Sequence, residues 1–301
     1  MTTATLEVSA PIVAFREAVA AIPDADLLIF GSGNAKLDPA IDHFSLPAGW
    51  SCPGARDCLA RAVEREEGWR IEDGPNSMFR CFAASEEVRY ANVRQGRWHN
   101  LDKLREYAGD GDHESQVEGM ARLILASLPL RERVFDLFID GRAYKQVVRV
   151  HVAGDFFSQA YFDAWLTVAR KRPDVLFYGY TKSLPFWVRR LGVIPSNFVL
   201  TASYGGRWDH LIEECGLRSA RVVFSEAEAA DLGLEIDEDD SHAMRRGPGF
   251  SLLLHGTQKA RTPAAKAWLA IQAGGGGHGK ASRERAKRNR KARVSLPVLA
   301  S

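Results

Sequence analysis

The chain has 301 residues, of which 46% are hydrophobic and 26% are charged, and its formal net charge is +2. This composition excludes an intrinsically disordered chain, and the length is sufficient for one large α/β domain. No apolar run approaches the about 20 residues of a membrane span, and no basic-plus-apolar signal segment opens the sequence, so we expect a cytoplasmic protein.

The first predicted elements are a short helix at residues 11–21 and a buried strand at residues 27–34. The segment that follows, residues 45–87, is rich in Gly, Pro and polar residues and holds three of the four cysteines. Four cysteines are too few for a secreted disulfide scaffold. In a reducing cytosol, closely spaced thiols indicate metal or redox chemistry more often than a disulfide.

Cys52, Cys58 and Cys81 are therefore the candidate metal ligands, with Cys215 as a candidate fourth. Thiolates suit an iron–sulfur cluster or zinc. The gaps of five and 22 residues match neither a CxxC pair nor a ferredoxin run, so the spacing does not choose between them. The alternative is that each cysteine is a small buried hydrophobic residue.

Beyond residue 113 the pattern predicts a helix over residues 113–130, continuing to about residue 140, and then a series of strands that alternate with helices. The strands are predicted at residues 147–157, 174–183, 197–206, 221–225 and 250–256. This alternation is typical of a parallel βα-repeat sheet, either a complete or partial (β/α) barrel or an open doubly wound sheet.

In both architectures functional residues gather at the carboxyl ends of the strands. Gly154, Asp155, Thr181 and Ser203 lie at these predicted ends and are candidate cofactor-binding residues. A third interpretation is a metal-dependent nuclease or phosphoesterase that uses Asp155 with His151 and His255.

We assign residues 1–272 to a single α/β domain and residues 273–301 to a Gly-rich linker and a basic tail. Residues 280–293 contain eight Lys or Arg and one acid, so this tail carries +7 and the rest of the chain about −5. Such a tail is either a solvated terminus or a nucleic-acid-binding segment. The candidate nucleic-acid-binding residues are Arg283, Arg285, Lys287, Arg288, Arg290, Lys291 and Arg293.

Several motifs between residues 30 and 260 resemble the gene product 88 domain family of bacteriophages and actinobacterial mobile elements. They are SGNAKL (32–37), SLPAGWSCPGARDC (45–58), FRCFAASEE (79–87), RVHVAGDFFSQAYFDAW (149–165), FYGYTKS (177–183) and FVLTASYGG (198–206). The members of this family are distantly similar to radical S-adenosylmethionine (SAM) proteins, in which three cysteines hold a [4Fe–4S] cluster at the mouth of a parallel βα barrel.

The resemblance implies that Cys52, Cys58 and Cys81 bind the cluster and that Gly154 and Asp155 correspond to the segment that grips the SAM amino group. Both cysteine gaps depart from the CxxxCxφC pattern of radical SAM proteins. We therefore expect an iron–sulfur protein resembling radical SAM enzymes, acting on or near nucleic acid. The competing expectation is a non-catalytic nucleic-acid-binding accessory protein whose cysteines are structural, with zinc or without metal.

Overall fold

A seven-stranded, mostly parallel sheet organises the fold, which a computed structural model describes at residues 19, 21–34, 36–130 and 137–274. The strands are β1 (Gly31–Ser32), β2 (Ile41–His43), β3 (Ala60–Arg65), β4 (Gly68–Asp73), β5 (Leu137–Ile139), β6 (Arg142–Tyr144), β7 (Gln146–Val150), β8 (Val175–Thr181), β9 (Phe198–Ser203), β10 (Ser219–Val223) and β11 (Phe250–Leu253). The main sheet has the order β1-β2-β7-β8-β9-β10-β11, while β3–β4 and β5–β6 form separate antiparallel hairpins. Only β1 runs antiparallel to its neighbour in the main sheet.

The helices are α1 (Phe82–Arg89), α2 (Ala91–Ala108), α3 (His113–Ser127), α4 (Gln159–Lys171), α5 (Leu184–Val188), α6 (His210–Glu214), α7 (Glu226–Asp231) and α8 (Pro263–Ala273). Helices α4 to α7 each connect one parallel strand to the next. The start of α4 follows from its sequence, because Ser158 caps the helix by accepting a hydrogen bond from the N–H of Tyr161 at 3.1 Å. The helix ends just before Pro173, as the sequence predicts.

Both faces of the sheet are buried, and alternation along each strand divides its side chains between them. Val148 and Phe177 belong to the larger core cluster, which Trp165 of α4 and Leu123 of α3 complete. The opposite face carries the smaller cluster, which contains Val147, Leu176, Tyr178, Val199 and Phe250, together with Ile139 and Tyr144 of the β5–β6 hairpin. The ends of the parallel strands are thus held by packing on two sides.

The strand order corrects part of the predicted architecture. The sheet is open, as the second alternative predicted, but the order of its parallel strands never reverses along the chain, so it is not doubly wound. The main sheet is open within the described residues, with β1 and β11 at its edges, so a closed barrel is not present there. The described protein is a mixed α/β fold with a mostly parallel sheet.

Two local predictions also need correction. The helix expected to continue to about residue 140 is wrong at Leu137–Ile139, which form β5. Segment 45–87 was predicted to be rich in loops because of its Gly, Pro and polar residues. It contains a regular antiparallel hairpin, β3–β4. The predicted helix at residues 11–21 and the basic tail lie outside the described residues, apart from residues 19 and 21. Across the described ranges, the helices are all too short or too polar to cross a membrane.

Candidate functional site

The segment after β2, which we call the cysteine loop (residues 44–59), lies across the carboxyl ends of the parallel strands. The N–H of Asp57 donates to the carbonyl of Gly205 at 2.9 Å, and the N–H of Arg207 donates to the carbonyl of Gly54 at 2.9 Å. These bonds attach the cysteine loop to the segment after β9. Cys52 and Cys58 are both carried by this loop.

Glycines permit this close approach. A Cβ on Gly54 would lie 2.1 Å from the carbonyl oxygen of Lys182, just after β8. A Cβ on Gly154, just after β7, would lie 2.6 Å from Cβ of Leu46 and 2.6 Å from Oγ of Ser51. Gly154 is a predicted cofactor-binding residue. In the structure it allows the cysteine loop to pack directly against the end of β7.

Cys81 does not belong to the cysteine loop. It is the residue directly before helix α1. A buried ion pair fixes this helix: Glu87 is fully buried, and its Oε1 accepts from Arg97 at 2.8 Å and from the N–H of Ala48 at 2.8 Å. Burial raises the pKa of Glu87, while Arg97 opposes that shift. The carboxylate thus joins α1, α2 and the cysteine loop at one point.

The three cysteines are free, half-buried and electrostatically coupled. Burial raises the pKa of each thiol, in the case of Cys81 to about 12. Cys58 and Cys81 each raise the pKa of Cys52, and Cys58 raises that of Cys81. In the absence of a metal the thiols are therefore neutral at pH 7, and a bound cation would have to stabilise the thiolates.

Polar groups that would favour thiolates are already present. The N–H of Gly49 donates to Sγ of Cys52 at 3.3 Å, and the N–H of Ala83 lowers the pKa of Cys81. Lys182 lowers the pKa of Cys58, although burial is the larger influence on this thiol. Such donors to sulfur and nearby cations are the means by which proteins tune iron–sulfur clusters.

The described side chains do not form a site for a single metal ion. Across residues 19, 21–34, 36–130 and 137–274, no three His, Cys, Asp or Glu side chains are grouped so that they could hold one. Ligands of one zinc ion must all lie about 2.3 Å from the same atom when they are thiolates. Cysteines of a [4Fe–4S] cluster bind different iron atoms, so their sulfur atoms need not all lie about 2.3 Å from one metal atom.

Cys58 and Cys81 line a cavity of about 880 Å³ at the carboxyl ends of the parallel strands. Residues at or just after the ends of β7, β8, β9, β10 and β11 form much of its wall: Val152, Lys182, Ser203, Val222 and Leu254. Helix α1 contributes Phe82, whose ring lies 4.7 Å from that of His255. This volume is within the range of cofactor and substrate sites, about 300–1,000 Å³.

Asp155 forms a hub beside the cysteines. Its Oδ1 accepts from the N–H of Phe156 and from Oγ1 of Thr181, both at 2.7 Å, and its Oδ2 accepts from the N–H of Lys182 at 2.8 Å. Burial raises the pKa of Asp155 in spite of these bonds. Since each carboxylate oxygen can accept two bonds, Oδ2 retains one acceptor position. Asp155 and Thr181 hold the strand ends together, and a ligand could use only the remaining position.

Ser203 is joined to the site by Lys182. The Nζ atom of Lys182 donates to Oγ of Ser203 at 2.6 Å, to its carbonyl at 3.2 Å and to the carbonyl of Tyr204 at 2.6 Å. All three ammonium protons therefore have partners, and the lysine is fixed between β8 and β9. Lys182 was not among the site residues predicted from the sequence.

Cys215 and the histidines of the nuclease interpretation occupy other environments. Cys215 follows α6, packs against the larger core cluster and is not among the described residues that line the cavity. His151 is buried, its Nε2 lies 2.9 Å from the hydroxyl of Tyr161, and burial lowers its pKa to about 3. His255 lines the cavity, but His151 is a core residue.

Comparisons with known proteins agree with the motifs in the sequence. A family model described as Gene product 88 matches residues 26–288. The Gene 88 protein of Mycobacterium phage L5 is 32% identical over 153 residues, which cover 50% of this chain and 51% of that protein. The Gene 88 protein of Mycobacterium phage D29 is 31% identical over 153 residues, 50% of each chain.

These alignments span about half the length of the curated relatives. No solved structure matches the chain. The family resemblance is thereby confirmed, while the distant similarity to radical SAM proteins finds no support in these matches.

Proposed function

This chain belongs to the Gene product 88 family, and we propose that it is an iron–sulfur protein, resembling radical SAM enzymes, whose [4Fe–4S] cluster is bound by Cys52, Cys58 and Cys81. One observation carries the proposal. Three free and electrostatically coupled cysteines come from two separate elements, and two of them face a large cavity at the carboxyl ends of parallel strands. Cys215, by contrast, packs against the larger core cluster, as a cysteine that serves only as a small hydrophobic residue does.

The topology supports the same proposal. Six parallel strands, β2 and β7 to β11, follow one another in chain order, and helices connect the last five. A right-handed connection at every step would place these helices on one face, as in part of a (β/α) barrel. Cys52 and Cys58 follow the first parallel strand, and Gly154 and Asp155 follow the second. A partial barrel with its cofactor site at the mouth accounts for this placement.

A cluster held by three cysteines would supply one-electron chemistry at an iron atom that has no protein ligand. The chain's own residues have separate roles. Gly49 donates a hydrogen bond to one sulfur, and Lys182 provides a positive charge beside another. Phe82 and His255 shield the mouth. SAM is the cofactor that the resemblance implies, but Asp155 is buried and is not among the described residues that line the cavity, so its part would be to position Thr181 and Lys182 at the strand end.

Anaerobic reconstitution with iron and sulfide tests the proposal directly. The wild type should bind about four iron and four sulfide per chain and become brown, with an absorption band from sulfur-to-iron charge transfer. Cys52→Ala, Cys58→Ala and Cys81→Ala should each lose most of the iron, whereas Cys215→Ala, the matched control, should retain it. SAM should then alter the electron paramagnetic resonance spectrum of the reduced cluster. Wild-type protein that stays colourless and iron-free would refute the proposal.

The basic tail favours a second candidate, a nucleic-acid-binding accessory protein without catalysis. Eight Lys or Arg within residues 280–293 would give salt-sensitive binding with little sequence preference. Binding to DNA or RNA that survives the combined Cys52, Cys58 and Cys81 replacements, and that is lost when the seven candidate basic residues become Gln, would favour this candidate. An iron–sulfur protein that acts on nucleic acid would need both the cysteines and the tail.

A further inference from the structure

A buried group of charges lies beside the cysteines in the wall of the same cavity. Lys36, Arg149, Tyr180 and Asp237 all line it. Behind them lies Asp240, which is fully buried and does not itself reach the cavity. We call these five residues the charged floor.

Two cations in the charged floor share one carboxylate. Nζ of Lys36 lies 2.5 Å from Oδ1 of Asp240, and Nη1 of Arg149 lies 2.7 Å from Oδ2. The hydroxyl of Tyr178 also donates to Oδ2 at 3.0 Å. Asp240 has φ +66°, a left-handed conformation that is uncommon outside glycine but that aspartate adopts more readily than most residues.

Asp237 does not provide a second counter-ion of equal strength. Its carboxylate is turned toward the backbone of its own segment, with Oδ1 3.3 Å from the N–H of Asp239 and Oδ2 3.4 Å from the N–H of Ala243. The hydroxyl of Tyr180 approaches it at 3.4 Å. Asp237 and Asp240 together carry as many negative charges as Lys36 and Arg149 carry positive ones, but it is Asp240 that forms ion pairs with both cations.

The cavity wall carries charges of both signs, with basic residues in excess. Five basic residues line it against three acidic ones: Lys36, Arg80, Arg89, Arg149 and Lys182 against Glu86, Asp237 and Glu238. The pKa of His255 is lowered to about 4, mainly by burial, with smaller contributions from Lys36 and Arg149 that Asp240 opposes. Both cations are thus close enough to act on a residue that lines the cavity.

Arg149 has hydrogen-bonding capacity to spare. Its guanidinium carries five N–H donors. Among the described residues Nη1 donates to Asp240, and Nε has no hydrogen-bond partner. Its side chain is 12% exposed, and its guanidinium carbon lies 5.1 Å from the ring centre of Tyr180, so the planar group is held in one orientation. A rigid guanidinium in the wall of a cavity is suited to an oxyanion.

We propose that the charged floor is a binding subsite for an oxyanion, a carboxylate or phosphate group of the molecule that enters the cavity, with Arg149 and Lys36 as its ligands. The inference goes beyond the proposed cluster, because none of these residues touches the cysteines in forming the site. Oxyanion binding at the charged floor can therefore be tested in metal-free protein, independently of iron binding.

Calorimetric titration of the purified full chain with inorganic phosphate, and separately with succinate, tests the proposal at constant ionic strength set with chloride. We expect one saturable site for at least one probe, and the two arms show whether phosphate or carboxylate is preferred. Arg149→Gln should raise the dissociation constant at least about tenfold, the loss of one charge-assisted contact. Arg245→Gln removes the same charge from an exposed residue and should leave binding unchanged.

If Arg149→Gln does not fold, Arg149→Lys takes its place, since lysine keeps the ion pair with Asp240 and loses the planar fork. The proposal is overturned if the wild type binds neither probe up to about 10 mM, a dissociation constant too weak for a built site. It is equally overturned if the Arg149 variants bind as well as Arg245→Gln. Binding by the basic tail would persist in every variant and would count against the charged floor.

Discussion

Replacing Gly154 with alanine should detach the cysteine loop from the sheet. Gly154 has φ +82°, and a Cβ there would lie 2.6 Å from both Cβ of Leu46 and Oγ of Ser51. The left-handed backbone costs an alanine about 1–2 kcal/mol, and overpacking against the loop costs about 1–3 kcal/mol more. We therefore expect the free energy of unfolding to fall by about 2–5 kcal/mol, a large part of the about 5–15 kcal/mol that holds a typical domain.

Gly192→Ala is the matched control. Gly192 has φ +83°, almost the same as Gly154, but a Cβ there would meet nothing within 4 Å. Its replacement should cost only the backbone contribution, about 1–2 kcal/mol. Equilibrium unfolding in urea, followed by tryptophan fluorescence, measures both variants. The reasoning is refuted if Gly154→Ala loses no more stability than Gly192→Ala, because the excess is the contact with the cysteine loop.

The same pair of variants connects packing to the proposed cluster. Ser51 directly precedes Cys52, so a loop that moves away from Gly154 would displace one of the proposed cluster ligands. The folded fraction of Gly154→Ala should therefore bind less iron after reconstitution than Gly192→Ala. Equal iron content would show that the loop relaxes without moving the cysteines, and the structural role given to Gly154 would then be wrong.

Three further predictions concern the surroundings of the site. Glu87→Ala should lower the free energy of unfolding by about 3–5 kcal/mol, because it removes the buried partner of Arg97 and the acceptor of the Ala48 N–H and leaves Arg97 only the half-exposed Glu86. Glu86→Ala, at a residue whose side chain is 42% exposed, should cost under about 1 kcal/mol, and urea unfolding measures both variants. The pKa of His151 is lowered to about 3, so the unfolded chain, whose histidine has a pKa near 6.5, takes up the proton first. Its contribution to stability is complete above about pH 6.5 and declines as the pH falls toward 3; His151→Gln should therefore show a smaller loss of stability between about pH 6.5 and 5, and an unchanged slope would contradict this assignment. Gln258→Ala should cost about 1–3 kcal/mol, because it leaves the buried backbone of Arg80 without its partner; amide hydrogen exchange should then increase at residues 79–82 and 255–258, and unchanged exchange there would count against the bond.

Much of the parallel sheet could be predicted because its strands carry strong local signals. The run from Val147 to Val150 is almost entirely β-branched, and the helix after it has a serine cap and a terminating proline. By contrast, β2 is only three residues long and includes Asp42 and His43, so no periodicity could reveal the strand from which the cysteine loop departs. The β3–β4 hairpin was missed although Trp69 and Ile71 alternate with charged residues, because each of its strands has only six residues in a segment rich in Gly and Pro.

The cysteine placement could be anticipated in part. Gly54 and the neighbouring Pro53 indicated a loop that could bend, and thiols in such a loop suggested a common centre. The charged floor could not be anticipated, because Lys36 and Asp240 are 204 positions apart in the chain and no local rule pairs them. The two side chains form a buried ion pair only when the sheet is assembled, because only then are they removed from water.

The open edge of the sheet explains why the cysteine segment and the last strand belong to one site. Gln258, after β11, accepts a hydrogen bond from the N–H of Arg80 at 2.7 Å and donates to its carbonyl at 3.2 Å. Arg80 directly precedes Cys81, so this amide joins the cysteine-bearing segment before α1 to the segment after the edge strand β11 without any strand pairing. A metal centre that fixes Cys81 together with Cys52 and Cys58 would fix the same junction. Cluster binding should therefore stabilise the edge of the sheet as well as the cysteine loop, since metal affinity is also folding free energy.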